Sequence, residues 1–276
     1  MRIWHQSLTV LNELPAYQVL LERHIQSIVR HDTEVVLHGM LPGTYASDFP
    51  LAEIQYPALA HYHFTQVMNA AQMAEKKGFD AFAMCFLAGP LLNEIRSVVD
   101  IPVVNYGETV FQFAGLYGQR FGVIRFLDTM KDFTQEFIKS WGFEDQCAGI
   151  AGCGLSYKEV FSGLVDPQDA IARFKAFASL FIEDKNVDVI IPGEMPLNVL
   201  LTGNGINRID DVPILDGLAL TLLQAQTMVD LKVKFGISHS RRGRKNKKPP
   251  EDILFELAKQ NGLQNLIDYY DTKNGS

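Results

Sequence analysis

The 276-residue chain is long enough to form one large α/β unit or two smaller lobes. Its composition, with 47% apolar and 21% charged residues, excludes long disorder and a collagen-like structure. Nowhere does the sequence reach the roughly 18 consecutive apolar residues of a membrane span, and residues 1–10 lack the apolar core of a signal peptide. The net charge of −7 argues against a general nucleic-acid-binding protein.

The cysteines and one basic segment add two further expectations. Cys85, Cys147 and Cys153 form no C-x-x-C pair and, being three, cannot all be joined in disulfides. This usage predicts a reduced, cytoplasmic setting and no structural zinc site. Residues 240–250 are rich in Lys and Arg, which is typical of a solvated linker; binding to nucleic acid or to an anionic partner is the alternative.

Along the chain, apolar runs of strand length alternate with segments of helical periodicity. The predicted strands cover residues 2–8, 33–40, 79–86, 101–107, 120–126, 187–193 and 212–217. The predicted helices cover residues 14–29, 56–78, 91–99, 108–117, 129–143, 166–186, 218–236 and 251–261, and residues 42–50 form a polar loop. Strands separated by helices of this length predict an α/β fold with parallel sheets that helices cover on both faces.

The second half of the chain echoes the first. Residues 78–85, GFDAFAMC, precede a helix and the strand IPVVNYG, while residues 186–194, NVDVIIPGE, precede VPILDG and another helix. Such an echo predicts two duplicated lobes. Ligands bind beyond the carboxyl ends of parallel strands, so the two strand ends look into one cleft if the lobes face each other. Cys85 and Glu194 stand at the two echoing strand ends. The spacing differs by one residue, so Gly193 is the alternative counterpart of Cys85.

Cys85 and Glu194 each have a structural and a functional interpretation. Cysteine is a common core residue, but at a strand end before a helix its thiol is expected to be activated as a thiolate. Burying a carboxylate after so apolar a strand costs free energy, so Glu194 is expected to be exposed to solvent or to have a function. The structural alternative is that Glu194 stabilises the start of a helix. We expect both residues to be catalytic.

Other side chains at the same strand ends and in the polar loop are candidates for binding a substrate. The loop offers Thr44 and Tyr45, with a surface turn as the alternative, and the junction after residue 104 offers backbone N–H groups that can hold an anion. The residues that we expect to contact the substrate are Gln6, Ser7, Thr44, Tyr45, Phe86, Asn105, Tyr106, Gly107, Arg125, Gly193 and Met195.

These motifs together resemble the aspartate/glutamate/hydantoin racemase superfamily, and its hydantoin and allantoin branch in particular. The similarity covers roughly residues 1 to 238 and is carried by GFDAFAMCF, IPVVNYGE, GQRFGVI, VDVIIPGE and VPILDGLALTLLQA. Members have two pseudo-symmetric α/β lobes with the active site between them and use no metal or organic cofactor. In the racemases a cysteine from each lobe faces the substrate Cα; decarboxylase members keep one of the two.

The resemblance implies that Cys85 is the first-lobe cysteine and that Glu194 replaces the second. Residues 1–106 with 217–238 are then the first lobe, 107–216 the second, and 239–276 a basic linker with a helical extension. We expect a cytoplasmic, homo-oligomeric racemase or isomerase without metal or cofactor. It would move a proton alpha to a carbonyl of a small hydantoin-like or amino-acid-derived substrate. A decarboxylase or lyase, a cysteine-dependent hydrolase, and a non-catalytic ligand sensor are the alternatives; no nucleic acid or membrane partner is expected.

Overall fold

The structure of the protein is a computed structural model that describes residues 1–47 and 50–260. The strands are β1 (Arg2–Gln6), β2 (Glu34–His38), β3 (Ala81–Met84), β4 (Val103–Asn105), β5 (Phe121–Arg125), β6 (Cys147–Gly152), β7 (Val189–Pro192), β8 (Arg208–Ile209) and β9 (Val212–Pro213). The helices are α1 (Pro15–Ile28), α2 (Leu51–Ile54), α3 (Pro57–Lys76), α4 (Leu92–Val98), α5 (Tyr106–Tyr117), α6 (Lys131–Ser140), α7 (Tyr157–Gly163), α8 (Gln168–Lys185), α9 (Met195–Thr202), α10 (Gly217–Phe235) and α11 (Glu251–Gln260).

Two parallel sheets give the two lobes the same plan, as predicted. The first has the order β2-β1-β3-β4 and the second β6-β5-β7. The second sheet is extended next to β7 by a parallel bridge between Ile190 and Ile214, which takes the place that β4 has in the first sheet. The α/β fold with two lobes of parallel strands and flanking helices is therefore confirmed.

The second sheet differs from the prediction in two details. Residues 212–217 were expected to form a strand, but β9 is short and pairs antiparallel with β8, while Asp216 already caps α10. The strand β6 was not predicted at all. Its sequence, CAGIAG, is rich in Gly and Ala, which have low β propensity, and it is held in place by pairing with β5.

Alternation along β3 determines which way its side chains face. Ala81, Ala83 and Cys85 pack into the core that also contains side chains of the second sheet, whereas Phe82 and Met84 pack under α3 and α4 in a separate core. Successive side chains of a strand point to opposite faces. The thiol of Cys85 therefore lies on the face of the first sheet that is directed toward the second lobe.

The two sheets are joined through α5, α9 and α10. The Tyr106 hydroxyl donates to the carbonyl oxygen of Pro192 at the end of β7 (2.7 Å), and Asn198 Oδ1 accepts from the N–H of Gly217 (2.9 Å). At Gly217 an added Cβ would come within 2.2 Å of the Tyr106 ring. The start of α10 can approach α5 this closely only because residue 217 has no side chain.

The basic segment proved to be docked on the fold, where a solvated linker was expected. The Arg241 guanidinium donates to the carbonyl oxygens of Arg96 (2.9 Å) and Val99, at the end of α4. Lys248 Nζ lies 2.5 Å from an Asp100 carboxylate oxygen. Cations are favoured where a helix ends, because its last carbonyl groups have no partner within the helix. None of the helices within residues 1–47 and 50–260 is long and apolar enough to cross a membrane.

Replacing Gly217 with Ala should destabilise the protein by about 1–3 kcal/mol, since the new methyl group overlaps the buried Tyr106 ring. Gly115→Ala in the exposed part of α5 is the matched control, because its nearest neighbour there is a side-chain oxygen of Gln146 at 3.5 Å. The control should be neutral or stabilising by up to ~1 kcal/mol. Urea unfolding measures both, and equal stability of the two variants would contradict this packing.

Candidate active site

A cleft lies where the carboxyl ends of the strands of both sheets meet, and it contains about 710 Å³ of empty space including its mouth. Its polar lining consists of Ser7, Thr9, Tyr17, Cys85, Arg125, Thr134, Tyr157 and Glu194. Its apolar lining includes Leu8, Leu51, Ile54, Phe86, Phe126, Met130, Phe133, Phe137, Met195 and Pro196. A mainly apolar cavity with a few convergent polar groups is typical of a small-molecule site.

Cys85 lies directly after β3 with its side chain in the cleft wall. It is 1% exposed, its N–H donates to the carbonyl oxygen of Gln6 (2.9 Å), and its thiol donates to that of Ala83 (3.6 Å). Burial raises the pKa of the Cys85 thiol well above its usual range. The resting side chain is therefore a neutral thiol, which is a proton donor.

The expectation that Cys85 is activated as a thiolate was wrong. It depended on a helix that starts close to the thiol, but α4 begins only at Leu92. The helix dipole acts within about one turn of the helix end. Desolvation consequently outweighs any stabilisation of the anion.

The strand register identifies the second-lobe counterpart of Cys85. Met84 pairs with Gln6 in the first sheet, and Pro192 pairs with Ile124 in the second. The next N–H groups, those of Cys85 and Gly193, donate to the carbonyl oxygens of Gln6 and Ile124 at 2.9 and 2.8 Å. Gly193 therefore occupies the position equivalent to Cys85, and Glu194 is one residue beyond it.

Arg125 fills the space that a side chain at position 193 would need. A Cβ on Gly193 would lie 2.5 Å from Arg125 Cγ. The guanidinium then reaches Glu194, with 2.6 Å between Nη2 and Oε1, and also donates to the Thr134 hydroxyl. The Phe126 N–H donates to the other Glu194 oxygen (3.2 Å). An ion pair therefore stands in the second lobe where the first lobe has a thiol.

The acidity of Glu194 results from opposing effects. Burial raises the pKa of the carboxyl group, and the charge of Arg125 and the Phe126 N–H oppose that rise without cancelling it. Both side chains of the pair are almost fully buried, at 5% and 8% exposure. A carboxylate with a raised pKa is a stronger base than an exposed one and can accept a proton from carbon in a water-poor cleft.

Ser7, Phe86, Arg125, Gly193 and Met195 all line the cleft with Cys85 and Glu194. The loop residues proposed as substrate contacts do not line it. Thr44 donates to the carbonyl oxygen of Leu41 (2.7 Å) and the Tyr45 hydroxyl to that of Leu8 (2.7 Å). Gln6 also lies outside the lining, with its amide nitrogen bonded to the carbonyl oxygen of Ser7 (2.9 Å). Tyr45 and Gln6 thus hold the backbone of Leu8 and Ser7 in the cleft wall, whereas Thr44 holds the backbone of its own loop.

The junction between β4 and α5 is structural in the same way. Asn105 caps α5 by accepting from the Glu108 N–H (3.0 Å), and its amide nitrogen holds the carbonyl oxygen of Phe86 (3.1 Å). Tyr106 connects to β7, as described above. A Cβ on Gly107 would come within 2.1 Å of the Leu87 carbonyl oxygen. Asn105 therefore holds the segment that follows Cys85, Gly107 lets that segment pack closely against α5, and none of the three residues is part of the cleft lining.

Sequence reasoning missed several side chains of the lining. Tyr17 was hidden among apolar residues at helical spacing, Thr134 was placed in an amphipathic helix, and Tyr157 begins α7, a helix that was not predicted. Phe133 and Phe137 form part of the apolar wall on α6. A strongly amphipathic helix that follows the strand of Arg125 was the available signal, but it is equally typical of any surface helix.

No group of three or more His, Cys, Asp or Glu side chains that could hold a metal ion is found in the described ranges, 1–47 and 50–260.

Solved structures with the same fold include two allantoin racemases. The enzyme from Klebsiella pneumoniae has a TM-score of 0.73 and 17% identity, over 91% of this chain and 94% of that one. Allantoin racemase from Pseudomonas fluorescens has a TM-score of 0.73 and 21% identity, over 91% and 98%. Unliganded arylmalonate decarboxylase has a TM-score of 0.54 and 15% identity, over 88% and 97%. At these identities the similarity establishes a shared fold.

A comparison with curated protein sequences gives no significant match. The family profile, in contrast, covers most of the chain and includes both strand ends that carry Cys85 and Glu194. The profile described as Asp/Glu/Hydantoin racemase matches residues 17–225, and the chain therefore belongs to the Asp/Glu/hydantoin racemase family.

Proposed function

We propose that the protein is a cofactor-independent racemase or isomerase that moves a proton at a carbon alpha to a carbonyl group, with Cys85 and Glu194 as its acid and base. The observation that carries the proposal is that a buried neutral thiol and a buried carboxylate line one cleft, each at the end of an equivalent strand. An acid and a base of this kind can serve the two faces of one carbon atom.

The proposed step balances without a cofactor. The Glu194 carboxylate takes the proton from Cα, and the C–H electron pair moves into the carbonyl group to give an enolate. The Cys85 thiol then gives its proton to the other face of Cα and becomes a thiolate. Because the product leaves the enzyme with a protonated Glu194 and an ionised Cys85, the reverse reaction or exchange with water restores the resting form.

The lining supports a small substrate with an apolar substituent and no net charge at the reacting ring. Arg125 is already paired with Glu194, so a free carboxylate that enters the cleft would have to compete with a buried carboxylate for it. Aromatic and aliphatic side chains form most of the wall. We infer a hydantoin-like or related amino-acid-derived substrate, in keeping with the fold shared with allantoin racemases.

A decarboxylase is the second candidate. The ion pair holds Glu194 in place, and Cys85 is then the proton donor on a single face. An arylmalonate decarboxylase shares the fold. A cysteine-dependent hydrolase is supported less, since nucleophilic attack needs a thiolate and burial favours the thiol.

Incubation of the enzyme with allantoin, benzylhydantoin and an arylmalonate in deuterated water tests the proposal by proton NMR and chiral chromatography. Wild type should exchange the Cα proton of a hydantoin and form both enantiomers. Cys85→Ala should lower the rate by at least about 100-fold, whereas Cys147→Ala, outside the cleft lining, should not. Exchange with retained configuration, or loss of carbon dioxide, would favour the second candidate; tight binding without turnover would identify a sensor and contradict both.

The pH dependence of kcat/KM tests the role of Glu194. Activity should be lost as the pH falls through the raised pKa of this base, because the protonated carboxyl group cannot accept the Cα proton. Arg125 opposes the rise, so Arg125→Met should move the acidic limb to higher pH. Arg125→Lys keeps the charge and should move it less. An acidic limb that stays in place in Arg125→Met would exclude Glu194 as the base.

A further inference from the structure

Tyr17 carries a buried hydroxyl group without a hydrogen-bond partner among the described residues. The residue is 1% exposed. Other buried or half-buried tyrosines are satisfied: the Tyr45 hydroxyl donates to the Leu8 carbonyl oxygen and that of Tyr106 to Pro192, each at 2.7 Å. A buried polar atom left without a partner costs stability, and such atoms are few in native proteins. The unsatisfied Tyr17 hydroxyl therefore indicates a functional role.

The position of Tyr17 is that of a substrate contact. It is in the first turn of α1, on the buried face of that helix with Leu21 and Ile25. Its ring packs edge-on against Phe161, with 5.6 Å between ring centroids. The side chain lines the cleft together with Cys85. The side chain with the unpartnered hydroxyl is thus part of the wall of the candidate active site, within electrostatic reach of the Cys85 thiol.

Tyr17 can act there as a hydrogen-bond donor and not as a base. Burial raises the pKa of its hydroxyl well above the usual range, and the nearby Cys85 and Tyr157 raise it further. The group therefore keeps its proton even when Cys85 has given up its own. A neutral O–H aimed at an oxygen atom that becomes negative stabilises that charge without transferring the proton.

Most other donors of the lining are already engaged. The hydroxyls of Ser7 and Thr9 lie 2.8 Å apart, so one of them donates to the other, and Ser7 Oγ also accepts from the Thr9 N–H (3.1 Å). The terminal nitrogens of Arg125 are held by Glu194 and Thr134. Arg125 Nε lacks a partner, but it belongs to this fixed guanidinium on the second-lobe side. The Tyr17 hydroxyl, in contrast, is a donor near Cys85 that has no partner among the described residues.

We propose that the Tyr17 hydroxyl donates a hydrogen bond to the substrate carbonyl oxygen next to the reacting carbon, and so stabilises the enolate. The inference rests on the proposed function, proton transfer alpha to a carbonyl. The Cα proton goes to Glu194, its electron pair goes to the carbonyl oxygen, and the Tyr17 proton stays on Tyr17. The bond strengthens as charge develops, so it acts more on the transition state than on the bound substrate.

Tyr17→Phe tests the proposal, with benzylhydantoin as substrate and deuterium uptake at Cα as the readout. Removing one donor to a developing oxyanion should lower kcat by about 100-fold to 1000-fold and change KM much less. The melting temperature should stay the same or rise, because the variant removes an unsatisfied buried hydroxyl. Tyr62→Phe, on the exposed side of α3, is the control and should keep the wild-type kcat.

Tyr45→Phe is the matched control for stability, since it removes a hydroxyl that does have a partner, and its melting temperature should fall. A wild-type kcat in Tyr17→Phe, with exchange by the wild-type enzyme intact, would overturn the role of Tyr17 and leave the proposed function standing. A melting temperature of Tyr17→Phe as low as that of Tyr45→Phe would show that the hydroxyl has a structural partner and would also overturn it. Absence of exchange in the wild type would overturn the proposed function, and the inference with it.

Discussion

The buried ion pair between Arg125 and Glu194 is the interaction on which the cleft depends. Two opposite charges that are both buried stabilise each other. Removal of one partner from such a pair typically lowers the stability of the protein by about 3–5 kcal/mol. Gly193 makes the pair possible, because Arg125 occupies the space that a side chain at position 193 would need. Thr134 and the Phe126 N–H complete the set of contacts. The residues that follow β5 and β7 are in this way fixed as one unit.

This unit makes the two halves of a duplicated fold chemically different. The first lobe presents a neutral thiol after β3, and the second presents a charged pair after β7. The pair is neutral overall, and mainly apolar walls surround it. In such surroundings electrostatic interactions are stronger than in water, so a substitution of Arg125 should change the pKa of Glu194. A cleft of this kind suits proton transfer within a small substrate of low charge.

Much of this arrangement could be predicted from the sequence. Strand and helix periodicity gave the α/β class, and the echo between residues 78–107 and 186–217 gave two lobes and placed Cys85 and Glu194 at strand ends. Details that depend on three-dimensional packing could not be predicted. The segment β6 forms a strand because it pairs with β5, although its composition does not favour one. The roles of Asn105, Tyr106 and Gly107 follow from contacts with segments that are distant in sequence. The exact partner of Cys85 needed the hydrogen-bond register, which a one-residue shift in sequence spacing obscures.

The central claim is that Cys85 rests as a neutral thiol opposite a charged pair, and the ultraviolet absorbance of its thiolate tests this most directly. The titration would be run on the wild-type protein and on Cys85→Ser, so that the difference isolates this residue from Cys147 and Cys153. The account predicts no difference in thiolate absorbance across the neutral range, because burial raises the pKa of Cys85. A thiolate from Cys85 at neutral pH would contradict it.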